Sequence, residues 1–180
     1  YCQSNPVDVV THLLPQQPGK AIRTQHHPAM PWRDIPAFVN THLKAGTRPD
    51  VSRSLLEFVI LTACRSGEAR GMTWAEVDLQ NQIWAIPAER MKAKCLHRVQ
   101  WSPRVLQILE VQKGQHESLV FPSIRDQVEL SDMAITSLLR RLKVPSDTPG
   151  RIATAHGFRS SFRDWCSEKS YSRDLAERSL

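Results

Sequence analysis

Four basic residues, spread over three short motifs, have the types and spacing to hold a phosphate group and act on it. His156 and Arg159 are three residues apart at the start of a predicted helix, so their side chains share one helix face. The N-terminus of a helix also favours an anion, because its first backbone N–H groups are unpaired. A surface histidine and arginine without any ligand would give the same spacing. For this motif alone, the simpler interpretation is favoured.

A second motif, Cys64-Arg65-Ser66-Gly67-Glu68, places Arg65 at the end of a strongly apolar predicted helix. An arginine at the edge of a core needs an anionic partner, and its planar guanidinium fits either a carboxylate or a phosphate. Glu68 provides the structural alternative, since it could simply pair with Arg65.

The third motif contains Lys92 and Lys94, which lie between two predicted strands. A lysine on a hairpin can enter a site and donate a proton if its pKa is lowered. Most hairpin lysines only keep a sheet edge soluble, so this motif is also weak when taken alone.

The elements that must position these motifs are mostly helices. Helical periodicity begins after Pro31 and ends at Gly46, and a second helix follows the N-cap Asp50. Ser66-Gly67 is expected to interrupt that helix, with residues 68–70 forming at most one helical turn. Short strands are predicted at 83–86 and 98–101, and later helices begin at Ser102-Pro103, at Ser131, at Gly157 and near Ser172. The order predicts an α+β fold, mainly α, with one small antiparallel β-sheet.

Composition narrows the function classes. The chain has 180 residues, 41% of them hydrophobic, and a formal net charge of +6, which indicates either a polyanionic partner or an inert basic surface. The longest apolar run, 55–64, is too short for a membrane span, and no signal-peptide pattern is visible. The four cysteines form no CxxC pair and the histidines supply no zinc spacing; His26 and His27 are expected to be solvated. A reduced cytoplasmic protein without metal is predicted.

Taken together and in this order, the motifs resemble the catalytic domain of tyrosine recombinases, the phage integrase family, particularly prophage and genomic-island integrases. The resemblance rests on the strings at 62–68, 88–92 and 156–163 and runs from about Pro31 to Leu180. It implies that residues 1–30 are the end of a preceding DNA-binding domain and a linker. Residues 31–180 would then be a C-terminally incomplete catalytic domain.

The resemblance also implies roles for individual residues. Arg65 and Arg159 would clamp the oxygens of a DNA phosphate, and His156 would act as a general acid or base. Lys92 would protonate the departing 5′-hydroxyl, and Glu68 would orient the arginines. The implied partners are double-stranded DNA and other recombinase protomers, in the bacterial cytoplasm and with no cofactor, metal or membrane. Candidate contacts to the DNA backbone are Lys94, Lys113, Arg140, Arg141, Lys143 and Arg163.

One departure from the family pattern concerns the nucleophile. A second His or Trp and then a tyrosine are expected a few tens of residues after the H-x-x-R motif. Tyr171 comes too soon after Arg159 and is interpreted as structural, and Tyr1 is in the wrong place. The expectation is therefore a fragment without its nucleophile, inactive alone. The alternative is a non-catalytic, DNA-binding remnant of an integrase that keeps the phosphate clamp.

Overall fold

The computed structural model describes residues 26–44 and 50–180. The chain first passes through a 3₁₀ turn (Trp32–Asp34), helix α1 (Ile35–Phe38) and a π-helical turn (Val39–Leu43). The remaining helices are α2 (Val51–Thr62), α3 (Ser66–Arg70), α4 (Pro103–Gln112), α5 (Ala134–Arg141), α6 (Gly157–Glu168) and α7 (Arg173–Arg178). Most of the predicted domain end and linker (residues 1–25 of 1–30) and the predicted helix end at Gly46 lie outside the described residues.

A three-stranded antiparallel sheet, ordered β1-β2-β3, follows α3. Its strands are β1 (Val77–Asp78), β2 (Ile83–Ile86) and β3 (His97–Gln100). The central strand pairs Trp84 with Val77 on one side and with Val99 on the other. The two predicted strands therefore form a hairpin, with the lysine motif in its connection and a short extra strand at its edge.

Helix α2 is the centre of the core. Asp50 caps it by accepting hydrogen bonds from the backbone N–H groups of Ser52 and Arg53 at 2.9 and 3.3 Å. Phe58, which is fully buried, packs edge-on against both Trp84 and Phe121. The helix contacts α3 and α6, which hold two of the motifs, and it also contacts α4 and α5.

The predicted fold class is confirmed: mainly helical, with one small antiparallel sheet. Three local predictions are wrong, one of them the start of α5, which lies at Ala134 and not at Ser131. Helix α2 ends at Thr62, because Ala63 turns into the left-handed region with φ 51°, so Arg65 lies in the link before α3. Ser66 and Gly67 do not interrupt a helix but begin one, since Arg65 is the N-cap of α3.

Candidate active site

Arg65 is held by the helix that it precedes. Its backbone is extended, and the carboxylate of Glu68 accepts hydrogen bonds from the Arg65 backbone N–H at 3.0 Å and from its Nη1 at 2.7 Å. Glu68 is only 7% exposed, whereas the Arg65 side chain is half-buried. The pairing alternative is therefore realised, and it fixes the guanidinium instead of removing it from the surface.

Arg159 comes from α6 and is 8% exposed. Its Nη1 donates to the carbonyl oxygen of Ala63, one of the carbonyls that the end of α2 leaves without a helical partner. Its Nη2 donates to the carbonyl oxygen of Leu180. Burial and the positive charge of Arg65 lower the pKa of Arg159, and the charge of Glu68 acts in the opposite direction. The two arginines are thus forced close to each other by separate parts of the fold.

His156 lies at the rim of the same region, immediately before α6. The first turn of that helix is fixed by a hydrogen bond of 3.0 Å from the Gly157 N–H to the Thr154 hydroxyl. Partial burial of the ring lowers the pKa of His156, as do the nearby His27, Arg159 and Arg65. The surroundings therefore favour the neutral imidazole, which can accept one proton and donate another.

These three predicted residues line one open cleft of about 320 Å³. An ion pair between Arg163 and Glu177 borders it on one side. The remaining lining residues are Ser160 and Leu180. Two guanidinium groups and one imidazole that converge on one space can bind the oxygens of a phosphate, because arginine donates in a planar fork.

The structure does not bring the lysine motif into this cleft. Lys92 and Lys94 are exposed in the β2–β3 connection, and neither is a lining residue. Lys94 has a left-handed backbone, with φ 53°, and its Nζ lies 3.5 Å from the carbonyl oxygen of Glu89. The catalytic role of Lys92 and the DNA contact of Lys94 stay predictions.

Among the other candidate DNA contacts, only Arg163 borders the cleft. Arg140 and Arg141 are exposed in the last turn of α5, where Arg141 lies 3.9 Å from the carboxylate of Asp50. Lys113 and Lys143 are also exposed, at the ends of α4 and α5. Exposure fits a contact to DNA and fits a solvated surface equally well.

Two features of the site were missed by the sequence analysis. The ring of His27, which is exposed as expected, also contacts the ring of His156. Arg90, two residues before Lys92, donates to both carboxylate oxygens of Glu76 and to the backbone carbonyl of Glu68. Arg90 therefore joins the base of the lysine hairpin to the helix that holds Arg65. No sequence spacing could have indicated either contact, because the partners are on different elements.

Over the described residues, no group of three or more His, Cys, Asp or Glu side chains could hold a metal ion. No helix within these ranges is both long enough and apolar enough to cross a membrane.

Sequence comparison identifies relatives over most of the chain. Residues 32–180 match the sequence profile of the phage integrase family. Prophage integrase IntZ of Escherichia coli (strain K12) is 33% identical over 179 residues, which cover 94% of this chain and 43% of that protein. The integrase of Enterobacteria phage P4 is 29% identical, covering 100% of this chain and 43% of that protein. The chain thus spans less than half the length of these relatives.

Solved structures share the fold at low sequence identity. The Tn1549 transposon integrase in complex with transposon right end DNA has a TM-score of 0.70 at 12% identity, over 99% of this chain and 63% of that one. The XerH recombinase bound to its difH substrate has a TM-score of 0.67 at 16% identity, over 87% of this chain and 48% of that one. The chain shares its fold with these two proteins. Because the family profile spans most of the sequence, the chain belongs to the phage integrase family.

Proposed function

We propose that this chain is the catalytic domain of a tyrosine recombinase that carries out site-specific DNA recombination or integration in the bacterial cytoplasm. The observation that carries the proposal is the convergence of Arg65, His156 and Arg159 on one cleft. Membership of the phage integrase family supports the same assignment. The partners would be double-stranded DNA and further protomers of the same protein.

In the proposed reaction, Arg65 and Arg159 bind the two non-bridging oxygens of a DNA phosphate. Their donors are fixed before DNA arrives, by Glu68 for one guanidinium and by the Ala63 carbonyl for the other. Fixed donors stabilise the charge that grows on these oxygens at a pentavalent phosphorus, and they need no reorganisation during the reaction. Glu68 is the positioning residue, since its carboxylate contacts only the arginine.

Proton transfer is assigned to two residues. His156, held neutral by its surroundings, can take a proton from the attacking hydroxyl or share it with a phosphate oxygen. Lys92 would protonate the departing 5′-hydroxyl. Because Lys92 is exposed on the hairpin connection, this role requires the hairpin to close over bound DNA. The chemistry conserves the phosphodiester energy in a 3′-phosphotyrosine, so it requires no cofactor.

The nucleophile of this reaction is a tyrosine other than Tyr171. The ring of Tyr171 packs against Trp165 with centroids 5.2 Å apart, at the junction of α6 and α7, and it is not a lining residue of the cleft. We therefore propose that Tyr171 has a structural role and is not the nucleophile. Sequencing the source DNA beyond the codon for Leu180 tests this: a His or Trp followed by a Tyr is expected. A stop codon would favour the DNA-binding remnant instead.

Duplex DNA binding by the 180-residue chain tests the phosphate clamp. Fluorescence anisotropy at several salt concentrations gives the slope of the logarithm of the association constant against the logarithm of the salt concentration. The magnitude of this slope decreases by about one for each lost phosphate contact. Arg65→Ala and Arg159→Ala are expected to lower both affinity and slope. Arg125→Ala, an exposed arginine outside the cleft, is the matched control and should change neither. If both cleft variants bind like the control, the proposed clamp is wrong.

A further inference from the structure

Residues 27–30, here called the N-terminal strap, cross the start of α6. The Pro28 carbonyl accepts hydrogen bonds from the backbone N–H of Thr154 at 3.0 Å and from its hydroxyl at 3.3 Å. Ala29 exchanges two hydrogen bonds with Asp147, donating to its carboxylate at 3.0 Å and accepting from its N–H at 2.8 Å. The strap is thus tied on both sides to the segment that leads into His156.

Part of the strap is also buried in the protein. Ala29 and Met30 are 3% and 4% exposed, and the Met30 carbonyl accepts a hydrogen bond from the buried hydroxyl of Ser161 on α6. Gly157 allows this approach, since a Cβ atom there would lie 2.0 Å from the Pro28 carbonyl oxygen. The strap therefore contacts the backbone of α6, the helix that carries Arg159, and is a fixed part of the site.

The first residue of the strap reaches the site itself. The rings of His27 and His156 meet edge to face, with centroids 4.5 Å apart and planes inclined at 64°. An edge-to-face contact restricts how an otherwise exposed imidazole can rotate.

We propose that His27 is a positioning residue for His156, holding its ring toward the cleft shared with Arg65 and Arg159. The inference rests on the proposed function only in assigning a proton-transfer role to His156.

The charges around His156 agree with this assignment. His27 faces it from the strap, Arg159 from α6, and Arg65 from the link before α3. The carboxylates in the same region are already engaged, Glu68 by Arg65 and Glu177 by Arg163. These three groups are positive when charged and lower the pKa of His156, and partial burial acts in the same direction.

The test is an NMR titration of the histidine ring protons in the full 180-residue chain. The His156 signal is assigned by its loss in His156→Gln. In His27→Ala, the pKa of His156 is expected to rise, because both the covering ring and its charge are removed. In His27→Phe, which keeps the ring contact and removes the charge, the rise should be smaller. An unchanged His156 pKa in His27→Ala would overturn the inference.

His26→Ala is the matched control, because His26 is the exposed neighbour in the chain. It should leave the His156 titration at the wild-type position, and a rise equal to that in His27→Ala would also overturn the inference. The readout separates the two proposals, since it requires no DNA. Unchanged titration with DNA binding lost in Arg65→Ala refutes only the role of His27. Shifted titration with DNA binding intact in both arginine variants refutes only the proposed function.

Discussion

The substitution Gly157→Ala tests whether the N-terminal strap is a fixed part of the candidate active site. Gly157 is the first residue of α6, directly after His156. The added methyl group would lie 2.0 Å from the Pro28 carbonyl oxygen and 2.9 Å from the Ala29 Cα, whereas real Cβ contacts essentially never fall below 3.0 Å. Both neighbours are backbone atoms, so no side-chain rotation can relieve the clash. The strap must move by at least about 1 Å.

The expected loss of stability follows from what the strap holds. Moving Pro28 breaks its hydrogen bonds from the N–H and hydroxyl of Thr154, each contributing about 1 kcal/mol. Displacing the buried Met30 adds an overpacking cost of about 1–3 kcal/mol. Alanine recovers up to about 1 kcal/mol over glycine in a helix. The free energy of unfolding should therefore fall by about 2–4 kcal/mol.

Urea unfolding followed by circular dichroism measures this difference. Gly67→Ala is the control, because Gly67 is also in the first turn of a helix and no atom lies within 4 Å of its added Cβ. That variant should be as stable as the wild type or slightly more stable. If Gly157→Ala unfolds at the same urea concentration as Gly67→Ala, the strap does not pack against α6 as described.

Three further predictions concern other sites. Iodoacetamide at pH 8 should alkylate the exposed Cys95 well before Cys64, whose thiol pKa burial raises to about 12; peptide mass spectrometry showing the reverse order would contradict this. Arg104→Ala leaves the buried carboxylate of Glu57 without its bidentate partner, and the free energy of unfolding in urea should fall by about 2 kcal/mol. This is less than the about 3–5 kcal/mol expected for a fully buried pair, because the Arg104 side chain is half-exposed. A fall below about 0.5 kcal/mol would contradict the prediction. The pKa of His156 is lowered in the folded chain, so protonation of this residue favours the unfolded chain. The free energy of unfolding should therefore fall as the pH drops below about 6.5. Urea unfolding measured at several pH values should show a smaller fall in His156→Gln.

Three helix starts were predictable because their signals are local, whereas α5 begins at Ala134 and not at the predicted Ser131. Asp50 caps α2 with its own carboxylate, and Ser172 caps α7 by accepting from the Leu175 N–H at 3.3 Å. Pro103 occupies the first position of α4, where its missing N–H costs nothing. Each of these starts depends on a residue and its immediate neighbours, so a single sequence contains the information.

The end of α2 was mispredicted because the contact that stabilises it is not local. A glycine usually marks the left-handed residue after a helix, and the sequence offers Gly67 as that signal. In the structure Ala63 takes this conformation, which non-glycine residues rarely adopt. The carbonyl of Ala63 then accepts a hydrogen bond from Arg159, nearly one hundred residues later. A long-range partner stabilises the turn, and no local pattern records it.

The strap and the edge strand β1 were missed through the same lack of local signal. With two residues, Val77–Asp78, β1 is too short to show an alternation of apolar and polar side chains. The strap contacts Asp147, Thr154 and Ser161, which are more than one hundred residues away. Three of the four predicted catalytic residues, Arg65, His156 and Arg159, line one cleft, and their catalytic roles stay predictions. Lys92 lies on the hairpin connection, outside this cleft.

The site concentrates positive charge that the folded chain only partly compensates. Arg159 is nearly buried, and its pKa is lowered by that burial and by Arg65, so the fold bears an electrostatic cost at this point. Glu68 forms an ion pair with Arg65 and acts on Arg159 only through its charge, while Arg65, His156 and Arg159 all line the cleft. A phosphate in the cleft would supply the missing negative charge to both guanidinium groups at once. The arrangement that opposes stability in the empty protein is therefore the one that favours the proposed DNA phosphate.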